Sequence, residues 1–143
     1  MINIVKVKWG DALVGIVLVS HSKKMADGAK EIIEQVIRGK IKIEVAAGTS
    51  DNRLGTDVFL IEEKVMEVFD GDGVLIIPDL GSAVMSAEMA IESLEEPIKS
   101  KTQLADSPFF EGAISAAMEA SFGKSLEEVK QAAENTRGMK KIA

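Results

Sequence analysis

Short unbroken apolar blocks alternate along this chain with longer stretches in which apolar residues recur every three or four positions. Gly15 to Val19 is the first block, rich in Val and Ile, and predicts a strand buried on both faces. After Ser20-His21-Ser22, the residues Met25, Ala29, Ile32, Ile33 and Val36 fall at helical spacing with Lys and Glu between them. They predict the buried stripe of a helix that stops near Arg38-Gly39. Ile41, Ile43 and Val45 begin a second strand, which ends in the loop Ala47-Gly48-Thr49-Ser50-Asp51-Asn52. Thr56 is the expected cap of a second helix, with Asp57 in its first turn and Val58, Ile61, Val65 and Val68 on its inner face. The turn cluster Asp70-Gly71-Asp72-Gly73 leads into a third apolar block, Val74 to Ile77. Pro78-Asp79-Leu80-Gly81-Ser82 then opens a third helix with Val84, Ala87, Ile91 and Leu94 on one face. A weaker strand is expected around Lys101 to Leu104. Ser107 as cap and Pro108 as first helical residue start a fourth helix. Ser125-Leu126-Glu127-Glu128 has the capping-box pattern and opens a last, amphipathic helix.

Strand and helix alternating in units of roughly 30 residues define an α/β fold. The expected architecture is an open, doubly wound, mainly parallel sheet with helices on both faces and right-handed crossovers. No repeat, low-complexity tract or linker divides the chain, so residues 1–143 read as one domain. Residues 1–12, with Ile2, Ile4, Val5, Val7 and Trp9, precede the first clear strand. They are expected either to add an edge strand or to stay disordered.

Composition narrows the chemistry. There is no cysteine, which removes disulfides, thiolate nucleophiles and cysteine metal sites. A single histidine removes multi-histidine metal sites and leaves only a carboxylate Mg²⁺ or Ca²⁺ site open. A net charge of −6 argues against a nucleic-acid surface and suits a partner with a basic face. No apolar run approaches the roughly 20 residues of a membrane span. Ile16 to Val19 is too short for a signal-peptide core, so a cytoplasmic protein is expected.

In a parallel sheet of this kind, ligands bind outside the carboxyl ends of the strands. Three loops leave those ends. The first carries Ser20, His21 and Ser22, the second Gly48, Thr49, Asp51, Gly55 and Thr56, the third Asp79, Leu80, Gly81 and Ser82. All three run into helix N-termini, which favour anions. An imidazole there suits phosphoryl chemistry, since an unperturbed histidine titrates at about pH 6.5 and offers a lone pair at neutral pH. Ser22, Gly81 and Ser82 are candidate donors to phosphoryl oxygens, and Asp79 a candidate to hold the second ring nitrogen. Each piece has a plainer explanation. A lone histidine is usually a satisfied or surface residue, Gly81-Ser82 also fits an ordinary helix start, and Asp79 after Pro78 also fits a turn. Met85 and Met89 read as core or subunit contact.

The runs GIVLVSHS (15–22), VAAGTSDNRLGTD (45–57), VLIIPDLGSAVMSAE (74–88) and PFFEGAISAAMEAS (108–121) together resemble one family. It is the phosphotransferase subunit of PTS-dependent dihydroxyacetone kinases, the DhaM family, similar in fold to the IIA domains of mannose-class sugar transporters. The resemblance covers roughly residues 14–136. It implies that His21 is phosphorylated by phospho-HPr and that Ser20, Ser22, Gly48, Thr49, Thr56, Asp79, Leu80, Gly81 and Ser82 surround it. It further implies transfer to ADP held on a nucleotide-binding subunit, whose ATP product serves a third, dihydroxyacetone-binding subunit. ADP and Mg²⁺ belong to that partner, so no cofactor is expected here. Family members are homodimers. The apolar residues of the third helix and the Ala-rich fourth, from Ala113 to Ala120, point the same way.

Two other functions compete. A mannose-class IIA protein uses the same histidine but serves a sugar-specific IIB partner. Such proteins more often carry a double glycine where this chain has the single Gly81. A non-catalytic module that binds an anion or nucleotide at the same strand ends would not need His21. The absence of GxGxxG and P-loop motifs weighs against its nucleotide form.

Overall fold

The computed structural model describes residues 12–143, so the strand or disorder expected for the N-terminal extension lies outside the described residues apart from Ala12. The elements are β1 (Gly15–Ser20), α1 (Lys23–Ile37), β2 (Ile43–Ala47), α2 (Val58–Val68), β3 (Val74–Pro78), α3 (Gly81–Ser93), β4 (Thr102–Leu104), α4 (Phe109–Ser121) and α5 (Leu126–Asn135). The strands lie in the order β2-β1-β3-β4, and every pair is parallel.

The apolar blocks become the two central strands because both of their faces are covered. Ile16 and Leu18 of β1, with Leu75 and Ile77 of β3, pack against α1, α4 and α5. The alternate residues Val17, Val19, Val74 and Ile76 pack against α2 and α3. All eight side chains are fully buried. Each stabilises the fold by roughly 1.5–3 kcal/mol relative to an exposed position. Ser125 and Glu128 form the reciprocal capping box at the start of α5, which is worth about 1 kcal/mol.

Four local details depart from the sequence reading. In α1 the buried stripe is Ala26, Ala29, Ile33 and Ile37, whereas Met25, Ile32 and Val36 are about half exposed. The chain carries two apolar stripes about a quarter turn apart, and the one with small residues approaches the sheet. In α3 the buried residues are Ala83, Ala87, Ala90 and Leu94, with Val84 and Ile91 at the margin. Asp57, not Thr56, caps α2, its carboxylate accepting from the N–H groups of Phe59 at 2.9 Å and Leu60 at 3.3 Å. Finally, α4 begins at Phe109 with Pro108 as its cap, and Ser107 donates to the Pro108 carbonyl instead of capping the helix.

Candidate active site

The connection after β1 runs through α1 to β2, on one side of β1. The connection after β3 runs through α3 to β4, in the opposite direction. The crevice between the carboxyl ends of β1 and β3 is therefore the topological switch point of the sheet. Val19 pairs with Pro78 in the parallel register, and the Asp79 N–H donates to the Val19 carbonyl at 3.0 Å. This ladder delivers Asp79 beside the residues that follow β1.

The Asp79 carboxylate is fully engaged. Oδ1 accepts from the Leu80 N–H at 2.7 Å and meets His21 Nδ1 at 2.9 Å. Oδ2 accepts from the His21 N–H at 3.0 Å and the Ser20 hydroxyl at 2.9 Å. Burial alone would raise the carboxyl pKa, but hydrogen bonds from the His21 backbone and ring, Ser20 and Leu80 outweigh it. The group stays below the ordinary aspartate range and is ionised at neutral pH. An ionised carboxylate has no proton to give, so Nδ1 carries the hydrogen, and in the neutral ring the lone pair is on Nε2. Nε2 faces the Ser82 hydroxyl, which sits close against it. The His21 side chain is 25% exposed and that of Asp79 only 8%, so the ring is reachable from outside while its anchor is not.

Two helix starts frame the ring. Ser22 caps α1 by accepting from the Met25 N–H at 3.2 Å. Helix α3 begins at Gly81 without a side-chain cap, so Gly81 and Ser82 present the open, positive end of a 13-residue helix. The β2–α2 loop closes the third side. The Gly48 N–H donates to the Ser20 carbonyl at 3.2 Å, and the Gly55 N–H donates to the His21 carbonyl at 3.0 Å. Both glycines have positive φ, +76° and +144°, which a side chain would strain. Thr49 Oγ1 accepts from the Arg53 N–H at 3.1 Å and donates to Asp51.

The predicted residues thus divide. His21, Asp79 and Ser82 are in contact, with Leu80 and Gly81 beside them. Gly48, Thr49 and Ser22 border the same opening as His21. Ser20 is completely buried and bonds to Asp79, so its hydroxyl lies behind the ring and not on the accessible side. Thr56 does not border that opening and shares a 2.7 Å hydrogen bond with Ser86 of α3. Sequence reasoning passed over Lys23, Lys24 and Arg53, which also line the opening. The adjacency of two lysines to the histidine was the available signal. Among the described residues, no three His, Asp or Glu side chains gather as a metal-binding group.

The family model described as "PTS system fructose IIA component" (EIIA-man) matches residues 15–130. A Listeria innocua protein named PEP-dependent dihydroxyacetone kinase 2, phosphoryl donor subunit DhaM, is 36% identical over 83% of this chain and 95% of its own length. An Escherichia coli protein named PEP-dependent dihydroxyacetone kinase, phosphoryl donor subunit DhaM, is 38% identical over 82% of this chain but only 25% of its own length. The chain thus spans about a quarter of that longer relative. It superposes on the crystal structure of EF1359, a protein of unknown function, with a TM-score of 0.78 at 38% identity, covering 92% of this chain and 99% of the other. A sigma-54 interaction domain protein from Enterococcus faecalis, at 22% identity and a TM-score of 0.65, shares the fold. The chain belongs to the EIIA-man family of phosphotransferase-system proteins and, within it, to the DhaM-like phosphotransferase subunits.

Proposed function

We propose that this protein is the phosphohistidine carrier of a dihydroxyacetone kinase, taking a phosphoryl group from phospho-HPr onto His21 and passing it to ADP on the nucleotide-binding subunit. The observation that carries this is the imidazole held through Nδ1 by an ionised, buried carboxylate, with Nε2 turned to the Ser82 hydroxyl at the start of α3.

The first step forms a bond from the Nε2 lone pair to phosphorus as the donor's P–N bond breaks, its electrons returning to the donor imidazole. The His21 ring then bears substituents on both nitrogens and becomes cationic, and the Asp79 carboxylate offsets that charge. Ser82 and the open N–H groups of α3 supply donors to the phosphoryl oxygens. In the second step a terminal oxygen of ADP attacks phosphorus, the P–Nε2 bond breaks, and the pair returns to Nε2. The proton stays on Nδ1, hydrogen-bonded to the Asp79 carboxylate, throughout. The step at His21 uses only groups of this chain and the two phosphorus-bearing partners, so we assign it no metal or cofactor of its own. ADP and Mg²⁺ belong to the acceptor subunit.

The test is reconstitution with phosphoenolpyruvate, enzyme I and HPr. Wild type should take up acid-labile, base-stable label, and His21→Ala should take up none. Persistent label on His21→Ala would overturn the assignment. Adding the kinase subunits or a mannose-class IIB protein then identifies the acceptor. Discharge to IIB alone would favour the sugar-transport reading.

A homodimer belongs to the same proposal. Met85 and Met89 of α3 are 65% and 60% exposed, which supports an apolar contact there. The Ala-rich face of α4 lends no such support, because Ala113, Ala116, Ala117 and Ala120 are fully buried within the chain, where α4 packs on the sheet and on α5.

A further inference from the structure

A cleft of about 490 Å³ opens beside His21, between the first turn of α1 and the β2–α2 loop. Its charged walls are Lys23, Lys24 and Arg53 against one carboxylate, Asp27. This is a cationic hollow in a chain of net charge −6. A second cleft of similar size, about 480 Å³, lies on the far side of Asp79, beneath the β4–α4 connection. It carries Asp79, Glu88 and Asp106 and no lysine or arginine. His21 borders the first cleft and not the second. The imidazole therefore borders the positive cleft, with its Nε2 turned toward Ser82.

We propose that the cationic cleft is a binding subsite for the diphosphate group of the phosphoryl acceptor, with Lys24 as its principal charge. The proposal rests on the carrier function above and names how the acceptor is held. Transfer out of this site brings a diphosphate against a phosphohistidine, and two anions must approach within bonding distance. Preorganised cations beside the reacting atom offset that repulsion. Among the described residues, the Lys24 ammonium has no hydrogen-bond or ion-pair partner and is available to a ligand. Lys23 is held by Asp27 at 2.7 Å, and Arg53 Nε by Asp51 at 2.8 Å. Both pairs are exposed, hold weakly in water, and can be drawn onto a multiply charged anion. The cleft is also largely preformed. Its loop is closed by the Thr49–Arg53 hydrogen bonds and latched to the His21 carbonyl through Gly55, so little ordering is required on binding. Its volume lies in the roughly 300–1,000 Å³ range of small-ligand sites.

The experiment has two arms. In the first, the unphosphorylated full-length protein is titrated with inorganic pyrophosphate and followed by amide NMR. Saturable shifts at Lys24, Gly48 and Arg53 are expected, weakening with salt, and Lys24→Glu should raise the dissociation constant by about 10-fold or more. In the second arm the half-reactions are timed separately. Lys24→Glu should slow discharge to the ADP-bearing subunit by about 10-fold and slow uptake from phospho-HPr by clearly less, and Lys24→Arg should restore discharge. Absence of pyrophosphate shifts, shifts indifferent to Lys24→Glu, or equal slowing of both half-reactions would overturn the subsite. The carrier function fails separately, through label on His21→Ala. That variant should still bind pyrophosphate, because the cleft's cations do not depend on the ring.

Discussion

His21 Nδ1 and Asp79 Oδ1 lie 2.9 Å apart although 58 positions separate the two residues in the chain. The contact forms because β1 and β3 are neighbours in the sheet, so both residues leave it side by side. It decides which ring nitrogen holds the proton, and with it which one is free to react.

Asp79→Ala is accordingly expected to slow phosphoryl uptake by His21 by roughly 100-fold. The circular dichroism spectrum should remain native, since the core lies elsewhere. Rapid-quench measurement of label incorporation from phospho-HPr checks this. An unchanged rate would reduce Asp79 to a turn former.

Ser20→Ala should act through Asp79 and more mildly, slowing uptake by about 10-fold. The side chain touches the carboxylate at 2.9 Å and never reaches the open side of the ring. Nitrogen-15 shifts of the His21 ring provide the distinguishing readout. The variant should show a larger share of the tautomer protonated on Nε2, which generalised loosening of the fold would not produce.

Acid should undo the site from the carboxylate side. Asp79 is held below the ordinary value of 3.8 by its hydrogen bonds, against the opposing effect of burial. A depressed carboxyl contributes stability that is present above the unfolded value and is lost as pH falls through the folded one. Denaturant titrations should therefore show wild type losing its advantage over Asp79→Asn as pH drops below about 4. A constant difference between them across that window would show that the carboxylate contributes no such stability.

Phosphorylation of the isolated subunit should proceed in excess chelator once phospho-HPr has been prepared and enzyme I removed. The pocket donors are hydroxyl and backbone groups, which need no metal to hold phosphoryl oxygens. Loss of label under these conditions would require Asp51, Asp57 and Asp79 to be reread as metal ligands.

In solution the protein should sediment as a dimer, at about twice its chain mass of 15.3 kDa. Replacing Met85 and Met89 together by Glu should shift it to monomer. A wild-type mass near 15.3 kDa would reject the dimer.

The architecture was readable because β1 and β3 are buried on both faces and so appear as unbroken apolar runs. The inner face of α1 was not, because Met25, Ile32 and Val36 make a second stripe as regular as the buried one. Which stripe wins depends on how closely Ala26 and Ala29 let the helix approach the sheet, a property of packing and not of period. The cap of α2 was misplaced by one residue because Thr56 and Asp57 are both good caps. The choice falls to Asp57 because the Thr56 hydroxyl is taken by Ser86, 30 positions away. Asp79 was legible both as a turn residue and as a ring partner, and its Oδ1 accepts from Leu80 and meets the ring at once. The place of Ser20 behind the ring depends on long-range contacts that no local pattern reports.

The Val19–Pro78 register ties the chemistry to the fold, because Asp79 reaches His21 only through the third strand. A nascent or proteolysed chain that stops before β3 contains the histidine but has no carboxylate to fix its tautomer. The fixed tautomer that phosphoryl exchange requires thus depends on the third strand being docked beside the first.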